Sequence, residues 1–154
     1  MTLFWITLVV LNGCAFFIPK NLPKWQLYTT SVFVVMFQLT ADNYFDFKWD
    51  LYGYFNQGVD TLSIVYQYGI FPAVNILFLT GWESASKKGT RTKINYIVIW
   101  CLLSTLYEYF AVKSGFLYHN EWRLGYSLLE YPILFFIVIT NFRITQWLYE
   151  KGDS

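Results

Sequence analysis

Long apolar runs, separated by short polar breaks, dominate the chain. They cover residues 2–18, 25–41, 61–82, 94–112 and about 127–147, each near the ~17–25 residues that a helix needs to cross hydrocarbon. Pro19 closes the first run. Pro23 and Lys24 open the second and Asp42 ends it, Pro72 sits inside the third, and Arg143 interrupts the inner end of the fifth. The runs are apolar nearly all round, as in helices that face lipid or lie deeply buried. They lack the short alternating segments of a membrane barrel. Backbone groups in lipid must bond within their own segment, which favours helices. The expected fold class is all-α, with residues 1–154 forming a single membrane domain, an integral bundle of five transmembrane helices. Pro72 is expected to kink the third, which neighbouring helices can accommodate.

Composition points the same way. Of 154 residues, 56% are hydrophobic and 14% charged, and the mean hydropathy is +0.36. Soluble domains carry about 25% charged residues, and a chain this short buries only a limited fraction of its surface. Lipid is therefore the expected solvent. The net charge of +1 supplies no field for a polyanion, so no nucleic acid is expected as a partner. The bilayer is the expected partner, with a homo-oligomer or a second membrane protein left open.

The position of the charges sets an orientation. Lys20, Lys24, Lys87, Lys88, Arg91, Lys93, Arg143 and Lys151 fall in alternate connections and the C-terminal tail, while Lys48, Lys113 and Arg123 fall in the others. Lys and Arg favour the cytoplasmic side, so the N-terminus is expected outside and the C-terminus inside, in a plasma membrane. Tyr and Trp near the run ends, including Trp25, Trp49, Trp82, Trp122 and Trp147, fit an interfacial belt. Cys14 and Cys101 lie in apolar runs and read as small apolar side chains. Leu11-Asn12-Gly13-Cys14 loosely resembles a lipoprotein cleavage box, but no basic segment precedes it.

The second and third runs form one hairpin, the fourth and fifth another. Asp42-Asn43-Tyr44-Phe45 parallels Glu108-Tyr109-Phe110, and Phe71-Pro72 parallels Tyr131-Pro132, with Tyr66 and Tyr126 six residues before each proline. Duplicated hairpins of like direction would be a parallel repeat. Chance similarity in so aromatic a chain is the alternative.

Acids gather at the outer end. Asp42, Asp46 and Asp50 recur every four residues, so a continuing helix would put them on one side. Glu108 lies four residues before the outer end of the fourth run, and Glu130 three residues past the outer start of the fifth. Both then sit roughly 5–6 Å deep at 1.5 Å per residue, with Gln38 and Gln67 near the same layer. One reading is an outward-facing pocket for a cation or amine, since ionisable groups within membranes usually face the bundle interior. The other is that both acids merely reach the headgroups, or that one pairs with Arg123 or His119. Two carboxylates in one dry pocket repel each other and favour retaining a proton, which would make a proton-linked site.

Asn75, deep in the third run, is expected to bond across helices, or else to contact a substrate at the proline break. His119 is the only histidine, too few for a metal site with two lone cysteines. No metal or other cofactor is expected. Phosphate loops, nucleophile elbows and His-Glu-x-x-His helices are missing from the sequence, which points away from an enzyme.

Phe71-Pro72, Tyr107-Glu108 and the segment Tyr118-His119-Asn120-Glu121-Trp122-Arg123-Leu124-Gly125-Tyr126-Ser127 resemble a family of small multi-pass membrane proteins of endospore-forming Gram-positive bacteria, whose activity is uncharacterised. The likeness runs over residues 37–136, and Glu121 departs from it, standing where glycine is expected. The resemblance implies a helical protein of the bacterial plasma membrane. The candidate ligand or ion contacts are Asp42, Gln67, Asn75, Glu108, His119, Arg123 and Glu130. The function expected is a non-enzymatic membrane component that binds a small ligand, lipid or protein partner through an aromatic, acidic outer face. The alternative is a small oligomeric transporter or channel with a polar path through Asn75, Glu108 and Glu130.

Overall fold

The computed structural model describes residues 1–56 and 60–152. Residues 57–59, in the connection between the second and third apolar runs, lie outside the described residues. The architecture is all-helical: α1 (Thr2–Phe17), α2 (Lys24–Asp42), α3 (Thr61–Ser86), α4 (Thr90–Ser114) and α5 (Leu124–Gly152). A π-helical turn, Asn43–Lys48, extends α2. Two short strands, β1 (Tyr52–Tyr54) and β2 (Leu117–His119), pair antiparallel with Gly53 opposite Tyr118.

Local chemistry sets the helix ends. The Asp60 carboxylate accepts from the Leu62 N–H at 2.6 Å and caps α3, as N-cap acids do. Gly115 ends α4 at φ +78°, a left-handed conformation that glycine adopts without penalty.

Three helices, α3, α4 and α5, are long and apolar enough to cross a membrane. The sequence pattern led us to expect five, and that number is corrected by length and composition. α1 has 16 residues, about 24 Å at 1.5 Å per residue, against roughly 30 Å of hydrocarbon. α2 is long enough at 19 residues, but it carries Lys24, Gln26, Thr29, Thr30, Ser31, Gln38, Thr40 and Asp42. Much of that polarity points inward: Gln26, Thr30, Ser31 and Asp42 are buried, while Tyr28, Val32 and Met36 are exposed.

α2 packs on α3 and α5, and α4 packs on α5 and α3, so four helices close a ring. α1 lies outside the ring, against α3 and α4. The two hairpins, α2–β1–α3 and α4–β2–α5, thus meet through both helix pairs and through the strand ribbon. Their interiors correspond. Gln67 and Ser127 each stand five residues before a helix-internal proline, and both are buried; so are Asn75 and Phe135 three residues after it, and Trp82 and Phe142 ten after. Val35 and Cys101, both buried, each precede a buried acid, Asp42 or Glu108, by seven residues. Two apolar clusters form the core. One, around Phe4, Tyr66, Ile70 and Phe116, lies under the strand ribbon. The other, around Leu27, Phe78, Leu79, Phe135 and Phe142, fills the end that carries the Lys-rich α3–α4 turn.

Candidate functional site

The acids of the two hairpins sit just beneath the ribbon, each in its own set of hydrogen bonds. Asp42 is 1% exposed. One of its oxygens accepts from the Tyr52 hydroxyl at 2.8 Å and from Gln38 Nε2 at 2.9 Å, and the other from Gln67 Nε2 at 2.6 Å. Glu108 is 6% exposed. Its Oε1 accepts from the Ser127 hydroxyl at 2.6 Å and lies 3.0 Å from His119 Nε2, while its Oε2 accepts from the Tyr131 hydroxyl at 2.7 Å. The Trp122 indole N–H donates to Ser127 at 2.7 Å, which leaves the serine proton free for the carboxylate. Buried acids need such partners, because an unsatisfied one costs several times a normal bond. The pairing Asp42–Gln67 and Glu108–Ser127 joins corresponding positions of the two hairpins.

The two sets touch through the cap. Tyr52, bonded to Asp42, stands opposite His119, beside Glu108, in the strand register. The Leu51 carbonyl accepts from the N–H groups of Asn120, Glu121 and Trp122 at 2.9–3.2 Å, locking the turn into α5 onto the first hairpin. Trp122 packs on Phe45, Tyr52 and Tyr126 with ring centroids 5.6–5.7 Å apart. Burial and the neighbouring Asp42 charge push the Tyr52 hydroxyl well above its ordinary range, so it stays a donor.

A cavity of about 110 Å³ lies between these groups. Glu108, Glu130, His119, Ser127 and Gln38 line it together with Tyr52, Tyr54, Tyr66, Phe71, Tyr107, Trp122 and Tyr131. Glu130 differs from the other two acids. It is half-buried and faces the cavity, and among the described residues it makes no hydrogen bond.

The chain matches no family model, no curated protein and no solved structure.

The candidate residues fall into three places. Glu108, His119 and Glu130 line the cavity; Asp42 and Gln67 are bonded behind its wall. Asn75 is buried deeper, donating to the Ser31 hydroxyl of α2 at 3.0 Å, and does not line the cavity. Arg123 is exposed and does not line it either. The spacing of Asp42, Asp46 and Asp50 does not produce one acidic face. Asp42 is buried, Asp46 half-buried, and Asp50 lies past the π-turn at φ +49°, accepting from Asn120. No spacing marks Trp122, Ser127 and Tyr131 as partners of Glu108, because an interfacial belt explains the same aromatics.

Proposed function

We propose that the protein is a multi-pass component of a bacterial plasma membrane that binds a small cation in the cavity under its extracytoplasmic cap. The observation that carries this reading is Glu130: a carboxylate without a hydrogen bond among the described residues, in a cavity walled by aromatic rings. Glu108 shares the cavity but is occupied by Ser127, Tyr131 and His119. A guest cation would give Glu130 a counter-charge, and ring faces attract cations by their quadrupole.

In this reading α2 crosses the bilayer beside α3, α4 and α5, with the C-terminus inside. Two bonds support a full crossing by α2. At one end Gln26 donates to the Phe142 carbonyl near the end of α5; at the other Asp42 meets Gln67 near the start of α3. α2 thus reaches from the start of α3 to the inner half of α5, with Gln26, Thr30, Ser31 and Asp42 turned into the ring. The basic turn Lys87–Lys88 and the cavity lie at opposite ends of α3. A cytosolic Lys88 therefore puts the cavity outside.

Binding is favoured over passage by the second apolar cluster. Phe78, Leu79, Phe135 and Phe142 close the ring below Asn75, and each is at most 8% exposed.

Titration of purified protein in detergent with methylammonium chloride, against sodium chloride of equal ionic strength, should give a saturable change in tryptophan fluorescence. Glu130→Gln should weaken the response by about tenfold or more, as expected for a charge-assisted bond. A response identical in wild type and variant would rule the site out. For topology, a reporter fused at Lys88 should be active only in the cytosol.

A further inference from the structure

Resting on the cation-site reading above, the chemistry of the wall narrows the guest. We infer that the cavity is shaped for a short primary alkylammonium ion. The polar groups left open to a guest are few. Tyr52 and Tyr131 have donated their hydroxyls to Asp42 and Glu108, and Tyr54 accepts from Gln38 at 3.4 Å. Tyr66 is different. It is 7% exposed, lines the cavity, and its hydroxyl has no hydrogen-bond partner among the described residues. The Glu130 carboxylate, the Tyr66 hydroxyl and the Gln38 amide oxygen thus remain as acceptors, on α5, α3 and α2, and the fully buried Tyr107 hydroxyl is also without a partner.

Much of the remaining wall is apolar, with Phe71, Ala111, Leu117 and Leu134 among its members. A guest that fits must bring positive charge, more than one N–H donor and a short apolar tail. An alkylammonium has three donors and no acceptor, like the lysine head group. Metal ions fit poorly: a calcium ion takes six to eight oxygens, and the open oxygens here are those of one carboxylate, one amide and at most two hydroxyls. A quaternary ammonium satisfies the rings but has no N–H for Glu130 or Tyr66. Size sets the tail. About 110 Å³ is somewhat less than the ~150 Å³ of a cavity that holds benzene, room for a nitrogen and roughly two or three carbons.

The test is a ligand series on the full-length wild-type chain in detergent, read by calorimetry: potassium, ammonium, methyl-, ethyl-, propyl-, hexyl- and tetramethylammonium chlorides. Affinity should rise about fourfold per methylene from methyl to propyl and fall at hexyl. Tetramethylammonium and potassium should bind at least tenfold more weakly than ethylammonium. Tyr66→Phe should weaken ethylammonium about fivefold, the worth of one hydrogen bond, and leave tetramethylammonium unchanged. Potassium or tetramethylammonium binding as tightly as ethylammonium would overturn the alkylammonium inference while leaving a cation site in place. No binding by any cation of the series would overturn both. The series itself needs no variant, so misfolding of a mutant cannot obscure it.

Discussion

Ser127 accepts a hydrogen bond from the Trp122 indole N–H and donates one to Glu108, so one hydroxyl satisfies two buried groups. In Ser127→Ala both lose a partner. We expect a loss of about 1–3 kcal/mol of stability, the usual penalty for an unsatisfied buried group, seen as a lower thermal midpoint in detergent. Ser127→Thr keeps the hydroxyl and should recover most of the loss. Asp46 makes a different prediction. Burial, with the Asp50 charge second, pushes its carboxyl up from 3.8 to about 6. The folded chain therefore binds this proton more tightly than the unfolded chain. Stability from this group grows as pH falls through about 6 and is complete below 3.8; above 6 the charged form opposes folding. Asp46→Asn should thus raise the thermal midpoint at neutral pH, and its advantage should vanish below pH 3.8. An advantage independent of pH would show that Asp46 acts otherwise. At this scale the sequence revealed depth but not partners. Helical rise alone puts Glu108 and Glu130 in one layer, whereas which aromatic turns inward depends on packing that no spacing encodes.

Between elements, close contacts are set by small or polar side chains. A Cβ at Gly81 would collide with the Tyr96 hydroxyl, which donates to the Phe78 carbonyl at 2.8 Å and ties α4 to α3. Gly13, inside α1, has nothing within 4 Å of such an atom. Gly81→Ala should therefore cost about 1–3 kcal/mol through overpacking, whereas Gly13→Ala should stabilise the helix by roughly 0.5–1 kcal/mol. Thermal unfolding of the two variants side by side would expose an error, since equal shifts contradict the packing. Asn75 ties α3 to α2 through Ser31. Asn75→Leu should cost only about 0.6–2 kcal/mol and leave cation affinity unchanged. Apolar runs revealed where the helices lie. They overstated how many are apolar enough to cross, because α2 mixes a lipid face with a buried polar one and a run of letters does not separate faces. The strand ribbon and the π-turn carry no periodic signal in the sequence, being three and six residues long.

Across the whole molecule, the likeness of the two hairpins moves from short sequence matches to corresponding buried positions. All three buried residues of α5, Ser127, Phe135 and Phe142, fall at the same distance from Pro132 as Gln67, Asn75 and Trp82 fall from Pro72. The sequence alone left this repeat undecided, because aligning the halves needs loop gaps of unequal length, and burial is what aligns them. If each hairpin is a unit, the covalent link between them at Lys87–Lys88 is dispensable. It is an exposed polar turn, and the hairpins already meet through α2 on α5, α3 on α4 and β1 on β2. Coexpressed fragments 1–87 and 88–154, tagged on one piece only, should therefore co-purify from membranes in near-equal amounts. The ribbon supplies the control. A Cβ at Gly53 would collide with the Tyr118 ring, and without the chain link the strand pair has to form between separate molecules. Gly53→Val should therefore reduce recovery of the untagged piece far more in the split protein than it lowers the yield of the intact chain. Fragments that fail to associate even with wild-type Gly53 would mean that the hairpins fold only as one continuous chain, and that their matching interiors do not make them separable units.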